Sequence, residues 1–84
     1  MFLHLGGDCT IFIRDIIAIF DLEKTTITKT TREFLKICEE EGFVENISTD
    51  IPKSFVVTEK GSKSVVYLSP ISVQTLGKRL KQNN

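Results

Sequence analysis

Histidine occurs once in this 84-residue chain, as His4 within the apolar stretch Phe2-Leu3-His4-Leu5. It has no Cys, Asp or Glu at metal-ligand spacing, so a structural or surface histidine is favoured over a ligand or base. A Ser-His-Asp or Cys-His constellation would have to use this one residue. The two cysteines, Cys9 and Cys38, form no C-x-x-C pair. Gly6-Gly7 is followed by another strand-like run rather than a helix, so it does not read as a phosphate loop. Glu39-Glu40-Glu41 is not an acid/base pair, because adjacent residues on a helix point in different directions. The expectation is no enzyme, no catalytic residue, no metal site and no cofactor.

What remains is cationic. Arg14, Lys53, Lys60, Lys63, Lys78, Arg79 and Lys81 fall at strand edges, turns or a helix end, positions from which side chains reach phosphates. Repetition around an oligomer would add such contacts together. The same residues also fit ordinary solvated lysines. The chain has no Trp, and its single tyrosine, Tyr67, lies in a strand-like run, which argues against a stacking platform for single strands. The net charge is zero but unevenly spread: residues 1–51 carry five basic and ten acidic side chains, residues 52–84 six basic and one acidic. Such asymmetry suits an anionic partner or head-to-tail self-association, or averages out in three dimensions.

Several elements must position these charges. Pro52 to Arg79 reads strand, turn, strand, helix. Phe55-Val56-Val57 and Val65-Val66-Tyr67-Leu68 are β-branched or aromatic runs of strand length. They are joined by Glu59-Lys60-Gly61-Ser62-Lys63, a polar loop whose Gly tolerates φ > 0. Ser72 is an N-cap candidate, with Ile71 and Leu76 at the positions of a hydrophobic staple. Val73, Leu76 and Leu80 share one helix face. Upstream, Phe2–Leu5 and Cys9–Ile13 read as a hairpin around Gly6-Gly7-Asp8. Arg14-Asp15 is a bend or bulge with both charges outward, and Ile16–Phe20 a continuous strand. A mid-chain helix starts at a capping box Thr30-Thr31-Arg32-Glu33, with Thr28 as an alternative cap two residues earlier. Phe34, Leu35 and Cys38 form its inner stripe. Gly42 is the C′ residue, with Phe43 closing a Schellman motif. Val44–Ile47 is a weak strand.

At this length the chain is one domain with a stability on the order of 3–5 kcal/mol unless supported. With no signal peptide or long apolar run, a reduced cytoplasmic setting is expected. Three near-continuous apolar runs, 16–20, 55–57 and 65–68, offer more β-surface than two short helices on one face would hide. A second copy of the chain is the simplest cover. Ile17, Ile19, Val56, Val66 and Leu68 are the candidate contacts between copies.

As a set these segments resemble a known family. Pro52-Lys53-Ser54-Phe55-Val56-Val57-Thr58, then Tyr67-Leu68-Ser69-Pro70-Ile71-Ser72, Thr75-Leu76 and Lys78-Arg79, are similar to the RemA/RemB family of extracellular matrix regulatory proteins. Phe2-Leu3-His4-Leu5-Gly6-Gly7 and Arg14-Asp15-Ile16-Ile17-Ala18-Ile19-Phe20-Asp21 look most like its RemB branch. The resemblance implies a bacterial cytoplasmic regulator of biofilm-matrix gene expression. It implies assembly as a homo-oligomeric ring and DNA binding through a surface like that of the LytTR domain. By position, Lys53 would face DNA from the loop before the Phe55 strand, Arg14 would lie near a second contact, and Arg79 matches the basic position of the last helix. The RemA branch carries paired arginines in that loop. Here it is Asp50-Ile51-Pro52, with only Lys53 basic, and each lost phosphate contact lowers salt-dependent affinity.

The resulting expectation is an α+β, antiparallel β-rich domain of about five to six short strands, LytTR-like and oligomeric. One helix is mid-chain and one C-terminal. Residues 1–81 form the domain and 82–84 a frayed tail. Candidate DNA contacts are Arg14, Lys53, Lys60, Lys63 and Arg79. The expected partners are itself, double-stranded DNA and a related paralogue, with no membrane. The competing reading is a self-associating or paralogue-binding module that does not bind DNA.

Overall fold

The hairpin at the centre of the fold is longer than its apolar runs suggest. A computed structural model describes residues 1–23 and 28–82 of the chain. In it β5 (Ser54–Lys60) and β6 (Lys63–Ser69) pair antiparallel from Ser54↔Ser69 to Lys60↔Lys63. The polar residues expected in a loop thus extend both strands, and only Gly61-Ser62 turn. Gly61 sits at φ 61°, as the first position of a two-residue hairpin requires.

The remaining strands build outward from this pair. β1 (Phe2–Gly6) and β2 (Cys9–Phe12) form a separate antiparallel hairpin. A 3₁₀ turn over Ile13–Asp15 leads into β3 (Ile16–Asp21), which pairs antiparallel with β5. β4 (Val44–Asn46) pairs with β6 in parallel, and the larger sheet has the order β3-β5-β6-β4. The architecture is α+β and mostly antiparallel, with β4 the parallel exception.

Adjacent strand residues point to opposite faces, and this sheet is covered on both. On one face Val56 joins Leu3, Leu5 and Ile11 of the hairpin and Leu76 of the C-terminal helix α2 (Val73–Gln82), with Ile19 and Tyr67 packed against them. On the other, Phe55 and Val66 meet Cys38 of α1 (Lys29–Glu40), flanked by Leu35, Val44, Val57 and Leu68. The expectation that both helices lie on one face is therefore corrected. The hairpin and α2 share one side, and α1 takes the other.

Local chemistry fixes the helix ends. Thr28 caps α1, its hydroxyl accepting from the Thr31 N–H at 3.1 Å, so the cap lies at the earlier of the two candidate sites. At the far end the Phe43 N–H reaches the Cys38 carbonyl and the Gly42 N–H that of Glu39. With Gly42 at φ 77°, this is the Schellman closure. Ser72 caps α2 by accepting from the Thr75 N–H at 3.2 Å. Gln82, expected to fray, ends that helix; Asn83 and Asn84 lie outside the described residues.

Two buried serines, opposite each other across β5 and β6, join the layers. The Ser54 hydroxyl donates to the Ile71 carbonyl at 2.7 Å and the Ser69 hydroxyl to the Leu5 carbonyl at 2.6 Å. Ser69 also accepts from the Ile71 N–H. Buried hydroxyls satisfied in this way avoid a desolvation cost and fix the hairpin and the entry to α2 against the sheet.

Candidate functional site

The cations are positioned by strand ends. β2 stops at Phe12, which pairs with Phe2 across the hairpin, their ring centroids 4.6 Å apart. The 3₁₀ turn then throws Arg14 outward, and its guanidinium lies 4.7 Å from the centre of the Phe12 ring. From the last residue of β5, the Lys60 ammonium reaches the same ring at 5.0 Å. Both charges therefore lie within about 10 Å of one another, about a Debye length at 0.1 M salt. Lys63 stands directly opposite Lys60 in the ladder, a like-charge pairing that is unfavourable without an anion nearby. Arg14, Lys60 and Lys63 thus form one positive end organised around Phe12.

Asp15 tempers this end. Both charges of the bend were expected to point outward. Arg14 does, but the Asp15 side chain is only 17% exposed, its carboxylate 3.9 Å from the Arg14 Nε. An ion pair this long and this wet contributes little.

Lys53 and Arg79 are elsewhere. Lys53 precedes β5, seven residues from Lys60 and roughly 23 Å away along an extended chain. Its backbone is locked: the Lys53 N–H donates to the Ser69 carbonyl at 2.8 Å, and its carbonyl accepts from the Leu22 N–H at 2.9 Å. The side chain is exposed, beside an Ile51 that is 86% exposed. Arg79 is held against β1, Nη1 donating to the His4 carbonyl at 2.9 Å and lying 3.4 Å from His4 Nδ1. His4 Nε2 donates to the Gly7 carbonyl at 2.9 Å, which leaves Nδ1 as the acceptor facing Arg79. Both residues therefore fasten α2 to the first hairpin.

The residues expected between copies divide. Val56 and Val66 lie inside the protomer, in the two halves of its own core, and meet no other chain without unfolding; that expectation is corrected. Ile19 and Leu68 pack half-buried on opposite faces. Ile17 is 59% exposed, because the β3 register shifts between Ile16 and Ala18 and leaves it as the extra residue of a bulge. Phe20, in the apolar run 16–20, is exposed at the end of β3; Phe34, expected on the inner stripe of the mid-chain helix, is corrected to half-open at 41% exposure, and sequence patterning did not single out the exposed Ile37 of α1. It also missed Phe12 as the ring that gathers the cations. The Gly6-Gly7 turn fixes the register that sets Phe12 against Phe2, and that was its legible sign.

No three His, Cys, Asp or Glu side chains among the described residues gather as a metal site. The Cys9 thiol is pushed up by burial and by Glu45, and the Cys38 thiol by burial, so both stay protonated and unreactive at neutral pH. Tyr67 is likewise raised, first by burial and then by Cys9, Glu45 and Asp15, which keeps its hydroxyl a donor. No helix among the described residues is long and apolar enough to cross a membrane.

Two comparisons bear on this arrangement. The family model for extracellular matrix regulatory protein A-like proteins matches residues 2–80, spanning every strand and nearly all of α2. The chain is similar to Extracellular matrix regulatory protein B of Bacillus subtilis (strain 168). The two are 39% identical over 79 residues, which cover 94% of this chain and 89% of that protein. A mixed sheet, the two hairpins and both helices thus fall within one family match, and the chain belongs to the RemA-like family of extracellular matrix regulatory proteins.

Proposed function

We propose that this protein is a cytoplasmic, RemB-like regulator of extracellular-matrix gene expression that acts as a homo-oligomer and binds duplex DNA through a LytTR-like surface. The observation that carries the reading is the positive end, where Arg14 and Lys60 converge on Phe12 and Lys63 faces Lys60. Three phosphate contacts from one protomer bind weakly. The same three repeated around an assembly add through effective concentration. Self-association is supported by exposed Ile17, Phe20, Phe34 and Ile37, and by exposed Glu39, Glu40 and Glu41 at the end of α1, where a basic neighbour offsets their conflict with the helix dipole. Lys53 is the fourth DNA contact, from the opposite end of β5. Arg79 acts on DNA indirectly, by holding α2.

Fluorescence anisotropy with duplex DNA at two salt concentrations tests this. Four contacts per protomer, the three of the positive end and Lys53, give a slope of log affinity against log salt of about −3.6 per bound protomer. Arg14→Ala and Lys60→Ala should each reduce it by about one. Absence of binding at low salt would end the DNA reading.

One observation favours the second reading, a self-associating or paralogue-binding module without DNA affinity. The loop Asp50-Ile51-Pro52 presents an acidic and an apolar side chain beside its lone Lys53. That reading expects capture of a paralogue in a pull-down and no salt-dependent DNA signal.

A further inference from the structure

We propose that the cavity between β2, the 3₁₀ turn and the outer end of the β5–β6 hairpin binds a small phosphate-bearing molecule of mononucleotide size. The cavity is about 270 Å³, with Ile11, Phe12 and Val65 as its apolar wall. Lys60 and Lys63 stand at its outer end. Among the described residues neither lysine has a carboxylate within 4.0 Å, and the two face each other across the ladder. An anion between them removes the repulsion that their pairing creates.

The rest of the lining has the opposite character. Asp15, beside Arg14, and Tyr67 also border the cavity, Tyr67 four residues from Lys63 along β6, roughly 13 Å. The largely buried Asp15 carboxylate repels an anion there and accepts a hydrogen bond instead. Burial keeps the Tyr67 hydroxyl protonated, so it donates or accepts beside Asp15. The complementary ligand has a phosphate at one end, a flat apolar body, and an N–H donor at the other. A nucleoside monophosphate with an exocyclic amine has all three. A duplex is too wide to enter such a recess, so the inference goes beyond DNA binding and stands whether or not DNA is bound.

The test is an NMR titration of the full ¹⁵N-labelled chain at low salt, without DNA, using adenosine monophosphate, inosine monophosphate, inorganic phosphate and adenosine as probes. Adenosine monophosphate is expected to move the amide signals of Thr10–Phe12 and Lys60–Val65 saturably. It should bind about tenfold tighter than phosphate or adenosine alone, because both ends of the cavity are used. It should also exceed inosine monophosphate, which presents a carbonyl where Asp15 needs a donor, and Asp15→Asn should remove that preference. Lys63→Ala should weaken binding about tenfold, with Lys60→Ala as the second variant should the first not fold. No shifts at millimolar nucleotide, shifts mapping elsewhere, phosphate binding as tightly as the nucleotide, or equal affinity for the two nucleotides would each overturn the proposal. A separate duplex titration at the same salt tests DNA binding, so failure of one reading is distinguishable from failure of the other.

Discussion

The two faces of the central sheet are closed by different means. On the hairpin side Leu3, Leu5, Val56 and Leu76 are essentially without exposure, and side-chain hydrogen bonds from Ser54 and Ser69 tie the covering elements to the sheet while one from Arg79 ties α2 to β1. On the other side lies a single helix. Among the described residues α1 makes no side-chain hydrogen bond or ion pair to the sheet. Its Phe34 is 41% exposed, beside a Phe20 stacked on Phe55 at 4.6 Å, and these rings border an apolar groove of about 250 Å³. The first face is built to hold the protomer together. The second spends only part of its apolar surface on folding and leaves the rest exposed.

The sharpest way to break this contrast is to put a charge on each face. Val56→Asp buries an unpaired carboxylate at a cost of several kcal/mol, against a total stability on the order of 3–5 kcal/mol. Circular dichroism should find that chain unfolded. Ile37→Asp, on the exposed side of α1, should keep a native spectrum. If both unfold, or neither does, the two faces are not different in kind.

The polar ties come next. Ser69→Ala leaves the Leu5 carbonyl and the Ile71 N–H without their partner, worth about 1–3 kcal/mol in urea unfolding. Gly6→Ala reaches the same junction from the other strand. Gly6 sits at φ 113°, and a Cβ there would stand 3.0 Å from the Pro70 Cγ, so strain adds about 1–3 kcal/mol. A loss well under 1 kcal/mol in both would mean that the ties do not hold this face.

The exposed apolar residues predict the reverse signature. Ile17→Ser and Ile37→Ser should each change protomer stability by about 0.5 kcal/mol or less. On the proposed self-association, both should shift sedimentation velocity toward smaller species. A wild-type-sized assembly from the double variant would show that these side chains do not join copies.

The faces also differed in how legible they were. The strands, the turn glycines, Ser72 as a cap and the Schellman closure could be read from sequence, because each depends on residues within one or two turns of each other. The pairing of β4 parallel to β6 could not, since three residues from Val44 to Asn46 carry no directional signal. Nor could the assignment of one helix to each face. Continuous runs such as Phe55-Val56-Val57 say that both faces are covered, not by what. For that reason Val56 and Val66 read as surplus surface when they are core. Among the cations, turn and strand-end positions marked Arg14, Lys60 and Lys63 as candidates. Only the three-dimensional register around Phe12 separates them from Lys53, and only the contact with His4 gives Arg79 its place.

The smallest expected effect belongs to the tightly closed face, where Cys9 and Tyr67 pack against the core. Burial raises both acids, and the raised value belongs to the folded state. Below the unfolded-state values folded and unfolded chains hold the same protons, so stability is fully present. As pH rises past about 9 and on toward 11 the unfolded chain releases protons that the folded chain retains, and stability falls. Thermal melts across that window should show Tm declining by a few degrees. Tyr67→Phe removes the ionisable hydroxyl while keeping the ring, so its alkaline decline should be shallower. Cys38, also raised by burial on the α1 side, contributes to the decline that persists in that variant. An alkaline limb identical in wild type and Tyr67→Phe would mean that burial on this side does not control the titration, and the contrast between the faces would then rest on packing alone.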